Sequence, residues 1–400
     1  MRKVPKLRFK EFSDEWEEKS YKDIFKINQG LQIAINERFL EPANNRMFYI
    51  TNEFLKKDSK IKYYIENPPL NVICSKDDIL MTRTGNTGQV VTNVEGAFHN
   101  NFFKINYSKE KFNKYFICLL LKSNKIQKTI LKLAGTSTIP DLNHSDFYRI
   151  KSIIPSIKEQ EKIANFLSTV DKKISLTEEK LELFKEYRKG VMQKIFFQEL
   201  RFKDNEGNDY PEWKEGKIKD FGYFYYGKSA PKHSVVELGG TPCIRYGELY
   251  STYNEYIKEI KSYTNIPINE LKLSKGGEVL VPRVGEDPLD FANCSYLPLE
   301  NIAIGEMISV YNTEENGLFI TYYFNATMKK EFAKYVEGAS VSNLYFTYLE
   351  NIKIIIPSSL EEQQKIADFL SSIDSKIEKI EKELENLKEF KKGLLQQMFV

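Results

Sequence analysis

Two arginines stand in short glycine-bearing segments where a side chain could read a polar edge. Arg83 lies in MTRTGNTGQ and Arg283 in VPRVGEDP, each directly after an apolar run. A guanidinium offers two parallel N–H donors, which match the two acceptors on a guanine edge. Gly85, Gly88 and Gly285 would let the backbone approach a groove closely. Around Arg83 stand Asn86, Thr87 and Gln89, amides and a hydroxyl suited to base edges. Around Arg283 stand Glu286 and Asp287, which can accept from cytosine N4 but repel phosphate. A lone loop of this kind reads equally well as a β-turn with a solvated arginine. Its recurrence with different chemistry suits two different nucleic-acid sequences. A second pair of loops, GTSTIPDLN (135–143) and GASVSNLY (338–345), places Thr136, Ser137 and Ser340 after glycine. Their hydroxyls could bond phosphates or cap the next element.

Other motifs fail on physical grounds. GYFYYGKS (222–229) has the spacing of a phosphate-binding loop. That loop must curl its amides round a phosphate, and four consecutive aromatics favour a strand instead. NPPL (67–70) is close to an adenine-methyltransferase signature, but Leu70 replaces the aromatic that would stack a flipped base. No Ser-His-Asp order, zinc-protease HExxH or paired-carboxylate motif stands out. The four cysteines form no CxxC pair and the three histidines do not cluster, so no metal site or disulfide framework is indicated. No catalytic residue and no cofactor bound by this chain is therefore expected.

The elements that must position the loops come from a repeat. QEKIANFLSTVDKKI (160–174) recurs as QQKIADFLSSIDSKI (363–377), with ten of fifteen positions identical. RIKSIIP precedes the first copy and NIKIIIP the second; LRFK followed by a tryptophan opens each half. The chain is a tandem duplication. Apolar residues alternate four and three apart from Ile163 to Ile195 and from Ile366 to Met398, broken at Thr177, Arg188 and Lys391. That 3.5-residue period predicts two long helices with a supercoiling seam, each about 40 residues and ~60 Å long. Compact domains have their ends close together, so the second helix should run back along the first. The expected fold is α+β: two mixed globular domains, 1–156 and 200–358, separated by antiparallel helices, 157–199 and 359–400, related by an approximate two-fold axis. Such a molecule would act as a ruler between two unlike recognition surfaces. A rigid coiled-coil scaffold joining two protein partners is the alternative.

Charge divides unevenly. Residues 1–158 hold 27 lysines and arginines against 17 acidic residues, net +10, whereas residues 200–360 hold 17 against 22, net −5. The first domain suits a polyanion; the second would need a local patch or a partner's basic surface. The N-terminal segment lacks the apolar core of a signal peptide, and no apolar run approaches a membrane span. A cytoplasmic protein with no membrane contact is expected.

The EQ segment followed by IAxFLxxxDxKI, the RTGNTG loop, the glycine-led loop before each IP and the doubled layout resemble the specificity subunit of type I restriction–modification enzymes. The resemblance covers essentially the whole chain. It implies two target-recognition domains, each reading one half of an asymmetric, interrupted site in double-stranded DNA. It implies two methyltransferase subunits that modify adenine with S-adenosylmethionine, and restriction subunits that translocate and cleave with ATP and magnesium. Arg83, Gly85 and Gly88 match the family's loop, as do Arg283 and Gly285; Pro288 stands where the later glycine would be. Gln160 and Gln363 match the helix starts, where the family's partner contacts are expected.

Overall fold

The computed structural model describes residues 4–56, 58–135, 138–228, 231–237, 239–338 and 342–399. Five helices longer than eight residues lie among them: α1 (Lys114–Lys122), α2 (Asn124–Ala134), α3 (Ile157–Phe196), α4 (Gly317–Thr327) and α5 (Leu360–Met398). The chain divides into two units, Met1–Glu178 with Lys382–Val400, and Glu179–Glu381. The division cuts both α3 and α5, so each unit owns half of each long helix.

In the first unit an antiparallel sheet runs in the order 26–29, 102–106, 79–82, 90–91. The run Ile79-Leu80-Met81-Thr82 is buried on both faces, as a central strand must be. A second sheet, in the order 63–66, 46–50, 96–98, 73–74, contains one parallel pair, between 46–50 and 96–98. The second unit repeats the plan. Strands 222–226, 308–313, 278–282 and 295–297 form the antiparallel sheet, with 278–282 wholly buried. The other sheet again holds one parallel pair, between 241–244 and 300–304. The duplication seen in the helices therefore extends to the strand order of the variable parts. The aromatic run 223–226 is a strand pairing with 309–312, and Ser229 lies outside the described residues.

Each unit packs its helix halves antiparallel. In the first, Asp171 meets Lys391 and Glu178 meets Lys388; in the second, Lys185 meets Glu381 and Arg188 meets Asp374. Numbers rise on one helix as they fall on the other. The seam residues Ile163, Leu167, Leu394 and Met398 join the first unit's core around Phe103, Phe116 and Phe147. The breaks at Arg188 and Lys391 are equivalent positions, and both are ion-pair joints. In each unit the acid at the joint also accepts from a tyrosine, Tyr115 to Asp171 and Tyr322 to Asp374. Arg188 bonds Glu255 as well, at 2.6 Å.

The repeated LRFK and EQ segments meet. Arg8 donates to Glu159 through Nε at 2.7 Å and Nη2 at 2.8 Å. Arg201 does the same to Glu362 at 3.2 and 3.1 Å. Beside them Gln160 and Gln363 are 1% and 0% exposed. The Gln160 amide donates to Pro155 O and Lys111 O and accepts from Asn113 N. Gln363 donates to Pro357 O and Glu315 and accepts from Asn316 N. Expected as partner contacts, these two amides instead face inward. A buried amide must be bonded, and each ties the start of its long helix to the domain before it.

Candidate nucleic-acid interface

The strand 79–82 delivers its chain directly into the first arginine loop. Thr82 closes the base of the loop: its backbone pairs with Gly88 N and Gln89 O, and its hydroxyl bonds Asn86 O at 2.5 Å and Gln89 N at 2.9 Å. Gly85 and Gly88 have φ of +64° and +91°, a left-handed backbone that costs glycine little. A Cβ at Gly88 would lie 2.8 Å from the Gln127 side chain. That close approach is used: Gln127 Nε2 of α2 donates to Gly88 O at 2.8 Å. Asn52 Nδ2 holds the other side through Thr84 O at 3.1 Å.

Arg83 is clasped by Asp141 at two points, 3.1 Å at Nε and 2.6 Å at Nη2, and Thr84 donates to the same carboxylate. Burial alone would raise the Asp141 carboxyl; the bonds from Arg83 and Thr84 outweigh it and hold the group below its ordinary value. Thr87 is buried, its hydroxyl bonding Pro140 O and Arg83 O. Asn86 and Gln89 are exposed, with side chains that bond no other described residue. The loop thus separates into a fixed frame, Arg83 and Thr87, and two unengaged amides. Thr136 and Ser137 lie outside the described residues, as does Ser340 in the second unit.

The second loop has the same attachment and different contents. Arg83 N bonds Asn101 O and Leu142 N bonds Arg83 O; Arg283 N bonds Met307 O and Leu344 N bonds Arg283 O. Val284 pairs with Asn343 as Thr84 pairs with Asp141. An amide therefore stands where the first unit has its clasping carboxylate. Arg283 forms no ion pair with a described residue. Its guanidinium lies 4.5 Å from the Tyr226 ring centre and 5.3 Å from that of Tyr345, and its buried Nε has no partner. Beyond it Pro288 starts a 3₁₀ turn over Pro288–Ala292, capped by Asp287 accepting from Leu289 N at 2.9 Å. Glu286 is exposed and bonds no described residue.

A family model for the type I restriction modification DNA specificity domain matches residues 13–185 and again 210–389. The chain belongs to the type I restriction–modification specificity subunits. It is 25% identical to the type I restriction enzyme MjaVIII specificity subunit of Methanocaldococcus jannaschii, over 96% of this chain and 91% of that protein. Against the putative MjaX specificity subunit of the same organism it is 27% identical, over 98% and 94%. Its fold is similar to that of the crystallised S subunit from M. genitalium, with a TM-score of 0.62 at 18% identity, covering 99% of each chain. It is also similar to a chain solved in work on complex assembly and conformational transition of the type I R-M system. There the TM-score is 0.57 at 15% identity, over 96% and 97%. This specificity subunit thus shares with its fold neighbours the layout of two mixed domains and two long helices.

Some groups that shape the loops escape the sequence. Asn52 and Gln127 lie far along the chain from Arg83 and carry no motif. Asp141 lies within the recurrent glycine-led loop, and its substitution by Asn343 in the other half was the available signal. Among the described residues no cluster of His, Cys, Asp or Glu is placed to hold a metal ion. Among them, too, no helix is long and apolar enough to cross a membrane.

Proposed function

We propose that this chain reads a two-part site in double-stranded DNA, one half through each globular domain, and itself performs no bond chemistry. The observation that carries this reading is the pair of loops. In two units of matching topology, the same buried strand ends in an arginine loop with the same backbone attachment and different exposed groups. In the first, Asn86 and Gln89 would meet base edges while Arg83 frames them. In the second, Arg283 and Glu286 would do so, and Asp287 would cap the following turn. Residues 1–156 and 200–358 are then the recognition domains, and 157–199 and 359–400 are the helices that set the spacer and dock methyltransferase subunits. The docking surface would use exposed neighbours of Gln160 and Gln363 such as Glu161 and Glu361. The relative solved in work on complex assembly supports such partners. The methyltransferase subunits would carry S-adenosylmethionine, the restriction subunits ATP and magnesium, and the assembly would work in the cytoplasm. Basic surfaces on those partners would supply the phosphate attraction that the acidic second domain lacks.

Mapping N6-methyladenine in cells expressing this chain with its methyltransferase subunit tests the proposal. An interrupted two-part motif is expected, and Asn86→Ala with Gln89→Ala should alter one part only. Removing one heptad from each helix shortens it by ~10 Å, about three base-pair steps, and should change the spacer or abolish methylation. A motif indifferent to both loops would favour the scaffold reading.

A further inference from the structure

A basic cavity of about 370 Å³ lies in the first unit where α1 gives way to α2. Lys122, Ser123 and Lys125 line it from that junction, and Lys388, Lys391 and Lys392 from α5. Two of the lysines are engaged, Lys391 with Asp171 and Lys388 with Glu178. Lys122, Lys125 and Lys392 are exposed and form no ion pair with a described residue.

Two further features point to an anion. The first backbone bond of α2 runs from Gln127 N to Ser123 O, so the amides of Asn124, Lys125 and Ile126 have no acceptor within their own helix. The positive end of the helix dipole sits there as well. Ser123 itself is 6% exposed, lines the cavity, and its side chain makes no cap bond and bonds no other described residue. The side chain is thus mostly buried, while its hydroxyl remains open to the cavity and uncommitted. Three unpaired lysines, the hydroxyl-bearing Ser123, and Asn124 and Lys125, whose amides have no helical acceptor, line a space that fits a phosphodiester.

The position of this cavity selects the ligand. Gln127, one turn into α2, holds Gly88 of the first arginine loop. Ser123, the N-cap of α2, is therefore about 6 Å along the helix axis from the residue that anchors the loop, within one or two phosphate steps of about 3.4 Å on a strand. We infer that the cavity grips a backbone phosphate of the DNA strand crossing loop 83–89, an inference that rests on that loop's proposed role in DNA reading. It would fix register without reading sequence. The second unit lacks the arrangement. Met328 occupies the junction after α4, so no hydroxyl stands where Ser123 does, and Arg188 carries a second acid, Glu255, that Lys391 lacks.

The test uses the complex of this chain with its methyltransferase subunit, carrying Lys122→Gln, Lys125→Gln and Lys392→Gln together. Binding to a duplex with the methylated motif and to an unrelated duplex is titrated across a range of KCl concentrations. At about 0.15 M salt both affinities should fall at least about tenfold. The slope of log affinity on log salt should drop by about one, the share of a single phosphate, with the methylated motif unchanged. Unchanged affinity and slope on both duplexes overturn the inference. So does retained DNA affinity with release of the methyltransferase subunit on gel filtration, which would make the cavity a protein contact. Should the parent complex select no motif, the loop reading fails, while the loss or retention of affinity for the unrelated duplex still judges the cavity.

Discussion

The loops at Arg83 and Arg283 begin alike and end in different physics. Both follow a buried strand and both are pinned through the arginine's own N–H and C=O. In the first unit a carboxylate closes on the guanidinium, and two left-handed glycines bend the chain so that amides point out. In the second an amide replaces the carboxylate, the guanidinium lies against two tyrosines, and proline carries the chain away as a short helical turn. A guanidinium stacked on rings keeps its donors for a ligand; one held by two bonds to a carboxylate does not. The same residue type at the same place is thus a frame in one half and an uncommitted donor in the other.

Removing the free arginine should have the largest effect. Arg283→Ala is expected to reduce methylation of sites through one half of the motif by about 10–100-fold, the weight of one two-pronged base contact, with little change in Tm. Arg283→Lys should not restore it, since an ammonium cannot stack flat or donate two parallel bonds. A large loss of Tm with methylation intact would make Arg283 the structural member. Next comes Asn343→Asp, which copies the first unit's clasp into the second. A several-fold weakening at the same half-motif is expected in binding assays, because the new carboxylate competes with DNA for the guanidinium. Asp141→Ala, in contrast, should act mainly on stability, lowering it by about 1 kcal/mol in denaturant titration, since the clasp is partly solvated. The smallest effect is the pH response of that clasp. The Asp141 carboxyl sits below its ordinary value of 3.8, so its contribution is fully present above that pH and is lost as pH falls through the lower, folded-state value. An NMR titration of arginine Nε–H signals should show Arg83 shifting only on acidification below about pH 4, and Arg283 not following it.

Much of the fold was legible because a duplication prints the same physics twice. The heptad spacing located both helices, whose observed bounds begin just after Pro155 and Pro357. The breaks at Arg188 and Lys391 were visible as polar residues in an apolar stripe, and the structure makes them ion-pair joints. The candidate site was legible only in part. RxG located both loops, yet composition ranked Thr87 beside Asn86 as a reader, and burial separates them. Gln160 and Gln363 drew attention by recurring. Recurrence marks any shared constraint, and here the constraint is a buried joint to Asn113 and Asn316.

By itself the sequence determined that two similar halves exist, that each ends in a long helix with one apolar stripe, and that arginine loops follow buried strands. Period, proline position and repetition are local properties, and a chain carries them wherever it folds. Which arginine is free was decided only in three dimensions. That depends on whether residue 141 or residue 343 bears a charge at the moment a distant strand brings it beside the guanidinium, and no spacing along the chain records that meeting.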